Sequence, residues 1–201
     1  MPDEKTYLLR SKLVGCTDSY NLYELFTGKL IPESQGCDYE NFEFLIFDRK
    51  IICQVNATLH IEQCISNPSS IRGFQILFCI YDVNDKESIQ FLKAQIPFIH
   101  QKCQLTKVVV IGITDGSESS VVTEQDIVEM TLNYKFYHLK LNVNDNKKEM
   151  LQKYCLGYLL QNDSEFKVFY DTHIQEVNKS YGGLKSTEPH KRSKVKSCVI
   201  V

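Results

Sequence analysis

The chain has 201 residues and a formal net charge of −2, which predicts one domain and argues against a surface that binds nucleic acid throughout. Its eight cysteines include no C-x-x-C pair, so their spacing does not indicate a zinc site. The opening residues are polar and charged, and the apolar runs are too short to cross a bilayer. We therefore expect no secretory signal, no membrane-spanning helix and reduced thiols in the cytosol.

Apolar periodicity predicts strands and helices that alternate along most of the chain. In the first part of the chain it predicts a strand over 7–14, a helix over 20–27, a hairpin of strands 41–47 and 50–55 with its turn at 48–50, and a helix over 59–65. In the middle it predicts a strand over 74–83, a helix over 88–101 that is broken or bent near Pro97, and a strand over 107–113. In the last part it predicts helices over 124–132 and 147–154, a last strand over 155–160 and a final helix over 166–177. Thr123 and Ser164 are the expected N-caps of two of these helices. The alternation predicts an α/β fold in three layers, with a mostly parallel sheet, one antiparallel edge hairpin and helices on both faces.

The segment after the first strand has the strand, turn and helix order of a phosphate-binding loop. The working pattern is G-x-x-x-x-G-K-[ST], in which the backbone and the Lys bind phosphates and the Ser/Thr binds Mg²⁺. Gly15 is in place, whereas Tyr20, Asn21 and Leu22 replace the second Gly, the Lys and the Ser/Thr. The alternative for Gly15 is a purely structural turn. The candidate positions of this loop are Gly15, Cys16, Thr17, Asp18, Ser19, Tyr20, Asn21 and Leu22.

The order of elements and three segments resemble a Rho/Rac-type small GTPase of the Ras superfamily. IPESQGCDYENF, at 31–42, is similar to the Rho effector segment, and EFKVFYDTHIQEV, at 165–177, is similar to the final Rho helix. The interval after Gly112 leaves room, near 123–134, for the additional helix of Rho proteins. The resemblance implies a P-loop NTPase fold with a six-stranded sheet. It also implies effector-region positions at Pro32, Glu33, Cys37, Asp38, Tyr39, Glu40, Asn41 and Phe42.

The remaining nucleotide motifs of the family are degenerate where the resemblance places them. The D-T-A-G-Q segment falls on Val55, Asn56, Ala57, Thr58 and Leu59, and the guanine-reading N-K-x-D falls on Ile113, Thr114, Asp115 and Gly116. The last loop falls on 162–163, or in a rival alignment on 140–142. We prefer 162–163, because the apolar stripe over 166–177 then becomes the last helix. Cys37 occupies the position at which the family has the Thr that binds Mg²⁺. Thiols are poor ligands for hard cations such as Mg²⁺. We therefore expect no catalytic residue, no metal ligand and no cofactor, with GTP or GDP and Mg²⁺ bound only if the chain is a divergent, slow GTPase.

The last twelve residues, HKRSKVKSCVIV, read as a lipidation signal. Cys198 opens a C-a-a-X box, which predicts prenylation and methylation, and one lipid chain needs a second membrane signal. The basic residues that would contact anionic lipid are Lys191, Arg192, Lys194 and Lys196. The alternatives for this run are a solvated tail or a nuclear address. We expect a domain over 1–180 and a flexible polybasic tail over 181–201.

Two functions follow from the resemblance and the degenerate motifs. The first is a Rho/Rac-like signalling protein, anchored by lipid to the cytoplasmic face of a membrane, expected to be the plasma membrane, that acts by binding partners. Its expected partners are protein effectors or Rho regulators, a prenyltransferase and the anionic inner leaflet, without nucleic acid. The second is a divergent GTP-binding switch with slow GTPase activity.

Overall fold

The fold is built from strands and helices that alternate along most of the chain. The computed structural model describes residues 5–16, 21–28, 39–58, 61–103, 106–116 and 120–182. The strands in these residues are β1 (Thr6–Gly15), β2 (Glu40–Ile46), β3 (Arg49–Thr58), β4 (Ile76–Asp82), β5 (Lys107–Thr114) and β6 (Tyr137–Asn142). The helices are α1 (Leu22–Thr27), α2 (Ile61–Ser66), α3 (Lys86–Lys102), α4 (Glu124–Tyr134), α5 (Lys147–Asn162) and α6 (Ser164–Gly182), with a 3-10 turn at Pro68–Ile71.

The six strands form one mixed sheet in the order β2-β3-β1-β4-β5-β6. The pairs β3–β1, β1–β4, β4–β5 and β5–β6 are parallel, and the β2–β3 hairpin is antiparallel. All seven residues of β4 are buried, which is typical of a parallel strand covered on both faces. The predicted α/β class with one antiparallel edge hairpin is confirmed.

Helices cover both faces of the sheet and create two separate hydrophobic clusters. On one face, Phe78 of β4 packs with buried side chains of α1, α5 and α6, among them Leu22 and Phe166. On the other face, Cys79 of the same strand packs with buried side chains of α2, α3 and α4, among them Leu92. Because successive strand residues point to opposite faces, the central strands contribute alternately to both clusters. This arrangement is consistent with the three predicted layers.

The predicted last strand over 155–160 is wrong, because these residues lie inside the continuous helix α5. The buried side chains of α5 include Leu151, Cys155 and Leu159, which are four residues apart and therefore lie on one helix face. The sixth strand is β6 instead, which the sequence analysis did not identify. The segment alternates the apolar residues Tyr137, Leu139 and Leu141 with polar ones, which is the pattern of a half-buried strand, so the signal was present in the sequence. It is short, and only Leu141 is buried at this edge of the described sheet.

This reassignment changes the role of two helices that supported the Rho resemblance. The segment near 123–134 contains α4, which makes the ordinary connection between the parallel strands β5 and β6. The final helix α6 follows α5 directly instead of following a strand. Asp163, not the predicted Ser164, caps α6, since its carboxylate accepts a hydrogen bond from the Phe166 N–H at 2.8 Å.

Three smaller expectations were also tested. The N-cap at Thr123 is confirmed, and it forms a capping box with Asp126. The hairpin turn lies at residues 47–48 and not at 48–50, and Phe47 has a positive φ of 55°. The helix α3 runs without interruption through Pro97, so of the predicted break or bend the break does not occur. Pro97 lies on the exposed side of α3, where water can hydrate the carbonyl that its missing N–H leaves free.

Candidate functional site

The candidate site lies at the edge of the sheet where the parallel strands have their carboxyl ends. From β1 the chain leads to β3 on one side and then to β4 on the other, so the strand order reverses beside β1. Open α/β sheets bind ligands at such a reversal, beyond the carboxyl ends of the strands. Gly15, the last residue of β1, pairs with Ile80 of β4, and the Cys16 N–H donates to the Ile80 carbonyl at 2.8 Å. The first glycine of the predicted loop is therefore at the expected edge.

The two positions where the phosphate-binding pattern requires Lys and Ser/Thr are occupied by structural side chains. Asn21 is the N-cap of α1, and its side-chain oxygen accepts a hydrogen bond from the Glu24 N–H at 3.2 Å. Leu22 is 0% exposed and lies in the hydrophobic cluster that α1 shares with α5 and α6. Burial raises the pKa of the nearby Cys16 thiol well above its ordinary value, so this thiol stays protonated. None of these three side chains is placed to bind a phosphate or Mg²⁺.

The segment predicted from D-T-A-G-Q lies mostly inside β3. Val55 pairs with Ser11, four residues before the end of β1, and its side chain is in the core. The amide oxygen of Asn56 accepts a hydrogen bond from the Lys12 ammonium at 3.0 Å. Thr58 pairs with Val14. Of the residues of β3 that were aligned with D-T-A-G-Q, Thr58 lies nearest the carboxyl edge. A carboxylate at position 55 would therefore lie within the sheet and not at its edge.

The residues predicted to read guanine lie at the end of β5, at the candidate edge. Ile113 and Thr114 are buried, and the Thr114 hydroxyl accepts a hydrogen bond from the Gly116 N–H at 3.1 Å. Gly116 has a φ of +91°, a conformation that favours glycine. Asp115 is exposed, and its carboxylate accepts a hydrogen bond from the Asn84 amide at 3.4 Å.

Of the two alignments of the last nucleotide loop, only 140–142 lies at the candidate edge. Asn142 pairs with Thr114, and the Val143 N–H donates to the Thr114 carbonyl at 2.9 Å. The preferred residues 162–163 lie at the opposite edge, because the neighbouring Gln161 amide donates to the hydroxyl of Tyr137, the first residue of β6, at 3.4 Å. The preference for 162–163 is therefore wrong. The four-residue spacing of Leu151, Cys155 and Leu159, with no Pro between Lys147 and Asn162, was the signal that could have corrected it.

Part of the predicted effector region lies on the outer strand of the sheet. Glu40, Asn41 and Phe42 belong to β2, which has a strand partner on only one side in the described sheet. The Tyr39 ring is near-parallel to the Phe74 ring at a centroid distance of 6.4 Å. The predicted site residues that lie outside the described residues are Thr17, Asp18, Ser19, Tyr20, Pro32, Glu33, Cys37, Asp38, Leu59, Lys191, Arg192, Lys194, Lys196 and Cys198.

Comparison with protein-family models gives no match, and comparison with curated protein sequences gives none either. Within the described residues, no helix is both long and apolar enough to span a membrane. The same residues contain no group of three or more His, Cys, Asp or Glu side chains placed to hold a metal ion.

Proposed function

We propose that this protein is a lipid-anchored, Rho/Rac-like member of the small GTPase family that acts by binding partner proteins, with weak or absent GTP binding and hydrolysis. The mixed six-stranded sheet with helices on both faces is compatible with the fold that the sequence resemblance implies. The reversal of strand order beside Gly15 supports a relation to nucleotide-binding α/β proteins.

The full burial of Leu22 is the main observation that argues against a cycle of GTP binding and hydrolysis. This leucine stands where the family has the hydroxyl that binds Mg²⁺, and it packs in the core. The preceding Asn21 caps α1 where the family has the Lys that reaches the β- and γ-phosphates. Without these two groups the negative charge of a nucleotide lacks its main counter-charges, and each charge-assisted hydrogen bond is worth about 1.5–3 kcal/mol.

The partner-binding part of the proposal places the effector surface on β2 and the adjoining segment. An outer strand offers unpaired backbone N–H and C=O groups to a partner strand. Tyr39, Asn41 and Glu43 are exposed along this segment. Because α4 and α6 differ in position from the helices that the Rho resemblance implied, the Rho assignment depends mainly on the segment 31–42 and on the tail.

The alternative is a divergent GTP-binding switch with slow hydrolysis, and one observation favours it. Asp115 is exposed at the carboxyl edge, one residue before the position where the family reads guanine. Its carboxylate interacts with Asn84, so nucleotide binding would require this contact to be exchanged.

The nucleotide content of the purified full-length protein separates the two functions. We expect no guanine nucleotide to be extracted, and no rise in the melting temperature with millimolar GTP and Mg²⁺, because stabilisation grows only as ln(1 + [L]/Kd). A working small GTPase purified in parallel is the positive control. Stoichiometric GDP in the extract would overturn the proposal and establish the alternative.

A further inference from the structure

A cavity of about 340 Å³ lies at the amino-terminal edge of the sheet, opposite the candidate nucleotide edge. Its lining comes from the last residues of α3, α4 and α5 and from the first residues of β5 and β6. Cavities that bind small molecules measure roughly 300–1,000 Å³. The volume therefore suits a small ligand, and the place is independent of the proposed function.

Lys107, the first residue of β5, extends a half-buried ammonium group to this cavity. Its nitrogen lies 4.4 Å from the centre of the Tyr137 ring and 5.7 Å from the centre of the Tyr154 ring. A Cβ added to Gly157 of α5 would lie 3.2 Å from the same nitrogen, so the ammonium is close to the helix backbone. Two rings and a helix thus surround the ammonium group.

The Lys107 ammonium has no carboxylate partner among the described residues. Burial lowers the pKa of Lys107, which means that its positive charge has lost part of its hydration. Contacts with the faces of tyrosine rings replace only part of that hydration. An anion in the cavity would supply the missing counter-charge.

Aromatic side chains form one wall of the cavity. The rings of His100 and Tyr134 are 5.2 Å apart, and those of Tyr134 and Phe136 are 5.8 Å apart. The lining contains a second lysine, Lys135, and no Asp or Glu. A planar ring can stack on such a wall, while its charged substituent is attracted by the lysines.

One effect opposes an anion here, because α3, α4 and α5 all end at this edge and helix C-termini favour cations. At the end of α4, the N–H groups of Lys135 and Phe136 both donate to the Thr131 carbonyl in a left-handed cap, which reduces the negative potential there. At the ends of α3 and α5, the N–H groups of Cys103 and Asp163 donate only the last regular helix hydrogen bonds. The positive charges of Lys107 and Lys135 in the lining oppose the negative potential of these helix ends.

We propose that this cavity binds a small planar aromatic anion, with the ring against the wall of His100, Tyr134 and Phe136 and the carboxylate or phosphate group on Lys107. The ligand chemistry is an aromatic ring with one anionic substituent. The cavity binds this ligand reversibly and without a covalent step.

The test is calorimetric titration of the full-length protein with 4-hydroxybenzoate and with phenyl phosphate, which distinguish a carboxylate from a phosphate. The neutral 4-hydroxybenzamide and inorganic phosphate separate the contribution of the charge from that of the ring. We expect binding of at least one aromatic anion, and at least about tenfold weaker binding of the amide and of inorganic phosphate.

Three variants locate the binding. Lys107→Met removes the charge and keeps a long side chain, so affinity should fall at least about tenfold. Gly157→Ala places a methyl group beside the ammonium, so affinity should fall while the protein stays folded by circular dichroism. Lys148→Met is the matched control, because this lysine also lies over a ring, that of Phe44 at 5.9 Å, and does not line the cavity.

Three outcomes would overturn the proposal. The first is that neither aromatic anion binds the wild-type protein at millimolar concentration. The second is that Lys107→Met and Lys148→Met bind it equally well. The third is that the neutral amide or inorganic phosphate binds as tightly as the aromatic anions.

Discussion

Replacing Leu22 with serine restores the hydroxyl of the phosphate-binding pattern, and we expect it to destabilise the protein without creating a nucleotide site. Leu22 is 0% exposed, and truncating such a side chain costs about 2–5 kcal/mol. A buried hydroxyl without a partner adds about 1–3 kcal/mol. The sum is a large part of the roughly 5–15 kcal/mol by which a domain is stable. At about 2–4 °C per kcal/mol for a chain of this size, the sum of about 3–8 kcal/mol corresponds to a fall in melting temperature of roughly 6–32 °C.

The assay is thermal unfolding followed by circular dichroism, with and without millimolar GTP and Mg²⁺. Leu132→Ser in α4 is the matched control, because Leu132 is 72% exposed and the same change there should alter stability by no more than about 0.5 kcal/mol. The double change Asn21→Lys with Leu22→Ser should be less stable still, since losing the α1 N-cap costs about 0.5–2 kcal/mol.

Two results would refute this reasoning. If Leu22→Ser unfolded at the wild-type temperature, the side chain would not be part of the core. If GTP and Mg²⁺ raised the melting temperature of the serine variant and not that of the wild type, the position would face a nucleotide.

Three further predictions test other parts of the structure. Gly112→Ala should cost about 1–3 kcal/mol in urea unfolding, because its Cβ would lie 2.6 Å from the Tyr81 hydroxyl oxygen, and an unchanged midpoint would contradict this packing. Hydrogen bonds from Thr123, assisted by a lysine of α3, hold the pKa of Asp126 at about 2 against an ordinary 3.8. The stabilising contribution of the Asp126 carboxylate is therefore complete above its ordinary pKa of 3.8 and is lost as the pH falls towards 2. In urea unfolding, the Asp126→Asn variant should therefore lose less stability than the wild type as the pH falls from 3.8 to about 2. Cys198→Ser should move an N-terminally tagged protein from the membrane fraction to the soluble fraction, and equal membrane retention would place the anchor elsewhere.

The sequence was sufficient where local signals agree with the tertiary environment. The runs that became β4 and β5 are apolar almost throughout, and only a strand covered on both faces needs such a run. The N-cap Thr123 and the hairpin of β2 and β3 were also predicted, because capping and tight turns are governed by neighbouring residues.

The candidate site was predicted only in part, for a geometric reason. Gly15 and the residues 113–116 lie at the carboxyl edge because they end, or directly follow, strands that the sequence identified. The position of Val55 depended on where β1 and β3 end, and that of the residues 162–163 on whether 155–160 forms a strand or part of a helix. An alignment by motif order does not contain that information. The burial of Leu22 likewise depends on the tertiary structure, because α1 lies against β1 and β3 and shares its hydrophobic cluster with residues of α5 and α6 from the far end of the chain.

By itself the sequence determined the α/β class, the central strands and the degeneracy of the phosphate-binding pattern, because these follow from residue types at fixed local spacing. Only the tertiary structure decided whether 137–142 or 155–160 forms the last strand. Both segments contain enough apolar residues for a strand, and the edge position beside β5 needs few of them. The segment 155–160 continues the helix α5, whose buried face covers the sheet. Burial of that face along the whole of α5 makes the helical conformation of 155–160 more stable than a strand conformation.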